Sequence, residues 1–174
     1  MAASARLSLV VIALFLSACL GLPDGVQPVG GFEEDRYLGK WYEIARLDHS
    51  FERGLSKVSA EYSLRDDGGI RVINRGYAAD NQEWQQAEGK AYFVGERDIG
   101  HLKVSFFGPF YGTYAVFELD RENYQYAFIA GNNTTYLWLL ARTPTISDDL
   151  KDQFISSVTK LGFDSSQLIF VEQD

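Results

Sequence analysis

The chain has 174 residues, which is the length of one ordinary domain rather than several. Hydrophobic residues make up 46% of it and charged residues 23%, a composition that excludes a largely disordered or fibrous protein. The formal charge is -8 at pH 7, so a surface that binds nucleic acid by neutralising its phosphates is not expected. Cys19 is the only cysteine, which excludes an intrachain disulfide, a cysteine-rich zinc site and an iron-sulfur cluster.

The N-terminus has the pattern of an export signal. Arg6 precedes the apolar stretch Leu7 to Leu16, which has the length of a signal-peptide core and is too short to span a bilayer. It ends in Leu16-Ser17-Ala18-Cys19, which resembles the bacterial lipobox, where a lipid is attached to the cysteine thiol and the signal is cut just before it. We therefore predict a signal peptide over residues 1–18 and a lipidated N-terminus at Cys19. The alternative is an ordinary signal peptide with a chance cysteine.

The residues after Cys19 bear on location and reach. In lipoproteins that this N-terminus resembles, an aspartate directly after the cysteine retains the protein at the inner membrane. Here that residue is Leu20, so we expect the protein at the outer membrane, on its periplasmic face. Between Leu20 and Arg36 the chain has Gly, Pro, Asp and Gln without a sustained period, which predicts a tether over residues 19–36. Such a tether could extend about 55 Å and let a domain over residues 37–174 reorient freely.

From Lys40 onward, short segments with alternating apolar and polar residues are separated by turn signals, which is the all-β pattern. Asp66-Asp67-Gly68-Gly69 predicts a tight hairpin between the second and third of them. Eight successive strands can hide their edges by closing into an antiparallel up-and-down barrel with room for one small ligand. A two-sheet sandwich is the alternative. The predicted strands cover residues 40–47, 57–64, 70–75, 84–95, 101–107, 112–119, 124–130 and 135–142.

One helix is predicted after the eighth strand. Ser147 or Thr145 can cap it, and Gly162 ends it. Its apolar residues fall on a single face, which should pack on the outside of the barrel. A short final strand is predicted over Leu168 to Val171. The apolar face consists of Leu150, Phe154, Val158 and Leu161.

Three segments carry a family resemblance. Gly39-Lys40-Trp41-Tyr42 on the first strand resembles the Gly-x-Trp signature of the lipocalin family, Leu119 to Tyr124 resembles its second motif, and Arg142 matches its third. Their order and spacing agree with the family over residues 32–174. Longer stretches are similar to the bacterial outer-membrane members of that family; they are Trp41 to Leu47 with Phe51-Glu52-Arg53-Gly54, Lys103 to Gly112, and Leu137 to Ile146.

The resemblance implies a structural role for the motif residues Gly39, Trp41 and Arg142 at a closed end of the barrel. In the family, the guanidinium of the arginine lies across the indole and seals the base through a cation-π contact. Glu43 shares the strand face of Trp41, and its role is left open; if it points inward, it needs a partner such as Arg142 or a tyrosine hydroxyl.

The pocket is predicted from strand parity and from the resemblance. Similar lipocalins line their cavity at the positions of Tyr62, Asn74 and Trp138, and aromatic faces with polar handles can orient an apolar ligand. The alternative is that these residues simply fill the core of a narrow barrel. No cation is expected inside, which favours ligands whose headgroup stays at the mouth. On the same inward faces lie Val58, Val72 and Leu140.

Bulky apolar residues fall in loops at the expected open end. They are Phe51, Phe107, Phe110 and Tyr111. Exposed at one rim, they would mark a contact with a membrane or a protein. The alternative is that they fold inward as a lid.

Catalysis is not expected. The two histidines are too few for a histidine-rich metal site, and neither a nucleophile elbow nor a phosphate-binding glycine loop is present. Asp48-His49-Ser50 looks like a triad, but adjacent residues cannot easily aim at one another. No metal, cofactor or catalytic residue is therefore predicted.

The resemblance implies a lipid-anchored lipocalin that binds and stores or transports lysophospholipids, fatty acids or similar amphiphiles in the cell envelope. The alternative is an envelope scaffold with a filled barrel that docks a protein through its aromatic rim. A homodimer is left open.

Overall fold

The computed structural model describes residues 21–174, so the predicted signal peptide and Cys19 lie outside the described residues. Within this range no helix is both long enough and apolar enough to cross a membrane. The elements, in chain order, are α1 (Glu34–Tyr37), β1 (Gly39–Arg46), β2 (Leu55–Leu64), β3 (Ile70–Ala78), β4 (Glu83–Phe93), β5 (His101–Ser105), β6 (Gly112–Leu119), β7 (Tyr126–Ala130), β8 (Leu137–Ala141), α2 (Asp148–Lys160), a 3-10 turn (Ser165–Gln167) and β9 (Ile169–Phe170).

The eight main strands form a closed antiparallel barrel. Each pairs with the next along the chain, and β1 pairs with both β2 and β8, so no long edge remains. Gly68 makes the predicted hairpin turn with φ of +79°, which favours glycine. Strand β9 adds beside β1, opposite Ala45 and Arg46. The predicted barrel is therefore confirmed, and the sandwich alternative is wrong.

Helix α2 packs outside the barrel, as the single apolar face predicts. The Ser147 hydroxyl accepts a hydrogen bond from the Leu150 backbone N–H at 3.2 Å and caps the helix. Phe154 and Val158 are fully buried, and the Phe154 ring meets Phe128 edge-on at 4.8 Å between centroids. This contact anchors the helix to the wall formed by β7 and β8.

The two ends of the barrel differ. We call the end with loops 65–69, 94–100 and 120–125 the base, and the end with loops 47–54, 79–82, 106–111 and 131–136 the mouth. Helix α1 covers the base, where the Arg36 guanidinium donates to the backbone oxygens of Arg121 and Glu122. The Glu33 backbone N–H donates to the Tyr124 hydroxyl at 2.9 Å. The base is thus closed by hydrogen bonds to the 120–125 loop.

The segment expected to be a free tether packs on the barrel in its described part. Val26, Val29 and Phe32 are buried. The Val29 N–H donates to the Val116 carbonyl at 2.8 Å, and the Phe32 N–H donates to the Asp98 carbonyl at 2.7 Å. Apolar side chains at every third position and paired backbone groups hold the segment down, so the expectation of free reorientation is wrong for residues 21–36.

Candidate ligand-binding cavity

The barrel interior holds a cavity of about 650 Å³ that reaches the mouth. This volume lies within the range of small-molecule sites. Apolar and aromatic side chains dominate its lining, with a few polar groups among them. A scaffold with a filled barrel is therefore not supported.

The residues predicted to face inward from β2, β3 and β8 all lie in the cavity lining. The period-two alternation of these strands brings them to one surface. Arg71, on the opposite parity, points outward and pairs with Glu88 at 2.6 Å. The predicted residues are Val58, Tyr62, Val72, Asn74, Trp138 and Leu140.

Three tyrosine hydroxyls form a chain deep in the cavity, near the base. The Tyr114 hydroxyl lies 2.6 Å from that of Tyr37 and 2.9 Å from that of Tyr62. Burial raises the pKa of all three side chains, so they stay neutral. Of the three tyrosines, only Tyr62 was predicted from the sequence. On β6, Tyr114 alternates with Val116, so strand alternation could have identified it as an inward residue. Tyr37 lies in helix α1, where strand alternation gives no information.

A buried arginine and glutamate, joined by a hydrogen bond, face the interior from β1, where no cation was expected. Arg46 Nη1 donates to Glu43 Oε1 at 2.8 Å, and both residues are buried. The partner expected for Glu43, Arg142 or a tyrosine, is therefore wrong. A β-bulge between Glu43 and Ala45 is the physical reason, because it brings Arg46 opposite Trp138, on the cavity side.

Glu52 and His49 extend this buried group beside Trp138. Glu52 Oε2 lies 3.0 Å from His49 Nε2 and accepts a hydrogen bond from Trp138 Nε1 at 3.2 Å. Burial and the nearby Glu52 raise the pKa of Glu43 well above its ordinary value. Burial also opposes ionisation of Glu52, but the His49 and Trp138 contacts outweigh it and lower the pKa of Glu52. The pKa values of the two carboxyl groups thus move in opposite directions, and Glu52 is the more acidic of the pair.

The other features of this loop do not form a catalytic relay. Asp48 pairs with Arg53 at 2.6 Å, away from His49. Within residues 21–174, no three His, Cys, Asp or Glu side chains lie close enough together to hold a metal ion. Neither Glu52 nor His49 was predicted as a site residue, since loop positions give no periodic signal for burial.

The predicted rim residues lie around the mouth, in the cavity lining. Phe107 and Phe110 are 78% and 79% exposed, so they are not folded inward as a lid. Phe51 is 56% exposed and stacks on His49, with ring centroids 4.0 Å apart. The Tyr111 ring lies on the outer side of the rim. Its centroid is 5.2 Å from Lys103 Nζ, and the Lys103 side chain faces outward because it alternates with the inward Leu102 and Val104.

The base carries the three motif residues. The Arg142 guanidinium carbon lies 3.9 Å from the centroid of the Trp41 ring. Arg142 also donates to the backbone oxygens of Arg36, Leu38 and Lys40. Gly39 has φ of +90°, which a residue with a side chain rarely adopts. These contacts tie α1, β1 and β8 together and leave the cavity open only toward the mouth.

Known proteins are similar to this chain over most of its length. A family model described as a lipocalin-like domain matches residues 32–173. "Outer membrane lipoprotein Blc" of Vibrio cholerae serotype O1 is 61% identical over 165 residues, covering 95% of this chain and 96% of the relative. The protein of that name from Escherichia coli K12 is 59% identical over 151 residues, covering 87% and 85%.

More distant proteins share the fold. The solved structure of the cockroach allergen Per a 4 aligns with a TM-score of 0.67 at 20% identity, covering 89% of this chain and 96% of that one. Insecticyanin from the tobacco hornworm Manduca sexta aligns with a TM-score of 0.67 at 21% identity, covering 87% and 86%. Three findings agree: the family-model match, the relatives at about 60% identity, and the closed barrel with its outer helix. This chain belongs to the lipocalin family.

Proposed function

We propose that this lipocalin is an outer-membrane lipoprotein that binds and stores or transports lipids in the cell envelope. The observation that carries the proposal is the 650 Å³ cavity, lined mainly by apolar groups and open at the mouth. Apolar burial in such a cavity favours an acyl chain or a similar amphiphile. The names of the Vibrio and Escherichia relatives support the location.

The chain organisation that goes with this function begins with a signal peptide over residues 1–18 and a lipid on Cys19. The barrel domain follows over residues 37–174, with the preceding segment packed on its wall. Lipid on the cysteine attaches the protein to the periplasmic face of the outer membrane. The oligomeric state stays open, and sedimentation of the mature protein would determine it.

Within the cavity, Tyr62, Asn74 and Trp138 contact the ligand. The buried charges support a ligand whose headgroup stays at the mouth, because Arg46 is already paired with Glu43 and bonded to the Glu52 carbonyl. A free carboxylate that bound Arg46 inside the cavity would have to displace one of these partners, at the cost of leaving a buried group unpaired. We therefore propose binding rather than catalysis as the role of this cavity.

The test is a fluorescence titration of the mature protein with lysophospholipid, comparing the parent with Trp138→Ala. Losing one buried aromatic face should weaken binding by about 1–3 kcal/mol. Trp84→Ala is the matched control, since Trp84 is exposed and absent from the cavity lining. Its affinity should equal that of the parent.

Two outcomes would contradict the proposal. The first is a parent protein that shows no saturable uptake of lysophospholipid or fatty acid. The second is a Trp138→Ala variant that loses about 3–5 kcal/mol of folding stability, as a packed core tryptophan would, without any ligand binding in the parent. Denaturant midpoints measured alongside the titrations separate these cases.

A further inference from the structure

The described chain starts beside the mouth of the barrel. The Thr113 hydroxyl donates to the Gly21 carbonyl at 3.2 Å. Thr113 is the second residue of β6, which begins immediately after the mouth loop 106–111. From Gly21 the segment runs along the wall toward the base, where Val29 meets Val116 and Phe32 meets Asp98.

This path fixes the end of the barrel at which an anchor on Cys19 would emerge. One residue, Leu20, separates Cys19 from Gly21, and the two steps along the chain span at most about 7 Å. From Thr113 to its end at Leu119, strand β6 runs about 20 Å along its own direction toward the base. An attachment at Cys19 can therefore reach the mouth but not the base.

The mouth, where the anchor would emerge, also carries fewer charged side chains than the base. In the four mouth loops, Asp48 pairs with Arg53 and Glu52 is buried, which leaves Asp80 as the remaining charge. The base also contains paired charges, Arg65 with Asp67 and Arg97 with Glu34, but its loops and α1 hold many more charged side chains in total. Those of its three loops are Arg65, Asp66, Asp67, Glu96, Arg97, Asp98, Asp120, Arg121 and Glu122, and α1 adds Glu34, Asp35 and Arg36.

Exposed aromatic rings occupy the end that lacks charge. Phe107 and Phe110 project from the loop that leads into β6, within the same stretch of chain as Thr113. Phe51 adds a third ring from the opposite loop. Apolar rings at the rim of an apolar cavity suit the boundary between lipid headgroups and acyl chains, whereas the charged base suits water.

We propose that the mouth of the barrel rests on the phospholipid leaflet that holds the Cys19 anchor, with Phe107 and Phe110 inserted at headgroup level. Lipid then passes between leaflet and cavity without crossing bulk water. The inference rests on the proposed function for the lipid on Cys19, and it adds the orientation of the domain and the surface that contacts the membrane.

The experiment measures the depth of fluorescent labels in the lipidated full-length protein. The protein is reconstituted in phosphatidylethanolamine and phosphatidylglycerol vesicles that contain brominated lipid as a quencher. One variant carries the label at Thr134→Cys in a mouth loop, and the matched variant carries it at Asp66→Cys in a base loop; both positions are exposed. We expect several-fold stronger quenching at 134 than at 66. Equal quenching, or stronger quenching at 66, would overturn the orientation.

The aromatic rim is tested in the same system. Replacing Phe107 and Phe110 together by serine should reduce quenching of the label at 134. Leu64→Ser is the matched control, because Leu64 is an exposed apolar residue where β2 ends at the base. It should leave the quenching unchanged. Equal effects of both changes would overturn the role of the rim.

Two further readouts separate this inference from the proposed function. Mass spectrometry of the N-terminal peptide reports the lipid on Cys19, and its absence would overturn both proposals. The lysophospholipid titration reports uptake. Normal uptake with the base toward the membrane would overturn the orientation alone, and the expected orientation without any uptake would overturn the carrier function alone.

Discussion

The base and the mouth of this barrel use their side chains in opposite ways. At the base, the Arg142 guanidinium donates to three carbonyls from residues 36 to 40 and covers the Trp41 ring. At the mouth, Phe107 and Phe110 leave more than three quarters of their surface in solvent. Bonds directed to the backbone fix the path of the chain, whereas exposed rings leave contact surface free for another molecule. Stability should therefore depend on the base and binding on the mouth and cavity.

The largest expected effect is at the base, with Arg142→Ala. We expect a loss of about 2–4 kcal/mol in unfolding free energy, because the change removes a cation-π contact, several hydrogen bonds and the packing of the alkyl stem. Denaturant midpoints measure the loss. Lysophospholipid affinity should change little, which would sharpen the contrast between the two ends.

Arg71→Ala is the control for that change. Arg71 is a surface arginine paired with Glu88 on the outer wall, so its loss should cost at most about 1 kcal/mol. A large fall in ligand affinity for Arg142→Ala at an unchanged midpoint would contradict this division of roles, because the base would then take part in binding.

A smaller effect is expected between the two ends, at the tyrosine chain. Tyr114→Phe removes the hydroxyl that bonds both Tyr37 and Tyr62, so the unfolding free energy should fall by about 1–2 kcal/mol. Tyr126→Phe is the control, because the Tyr126 ring packs on Phe128 outside the barrel. The unfolding free energy of this variant should differ from that of the parent by no more than about 0.5 kcal/mol. Equal midpoints for both variants would show that the hydroxyl chain adds no stability.

The last expected effect is a pH dependence from the buried group near the mouth. Burial raises the folded-state pKa of Glu43 above its ordinary value of 4.5, so the folded protein holds a proton that the unfolded chain releases. Unfolding free energy should therefore decline as pH rises from 4.5 toward the raised pKa. Glu43→Gln should lack this decline, as measured by denaturant unfolding between about pH 4 and about pH 8.

Glu88→Gln on the outer wall is the control with the opposite sign. Its hydrogen bond to Arg71 lowers the pKa of Glu88, so its contribution is present above 4.5 and is lost as pH falls. A stability difference between Glu43→Gln and the parent that stays constant above pH 4.5 would contradict a raised pKa at Glu43.

Local chemistry made most of the fold predictable. The hairpin over residues 66–69 and the Ser147 cap each depend on a few adjacent residues, and the structure has both. The inward faces of β2 and β3 follow strict alternation, so Tyr62 and Asn74 could be assigned to the cavity lining from the sequence.

The remainder depended on irregular or long-range contacts. Glu43 and Arg46 are three apart and would face opposite sides of a regular strand, so the bulge between Glu43 and Ala45 could not be read from alternation. The N-terminal segment left a weak signal in the three-residue spacing of Val26, Val29 and Phe32. Its partners, residues 98–116, are too distant in sequence for a local pattern to identify.

The packing of residues 21–33 along the barrel wall sets how far an anchored domain can travel. If this segment were not packed on the wall, the domain could move about 55 Å from the membrane. Because it is packed, the two residues before Gly21 set the reach, which is about 7 Å. A protein molecule anchored through Cys19 could not carry lipid across the periplasm. Each copy would serve only the patch of membrane beneath it, so envelope-wide capacity would scale with copy number rather than with mobility.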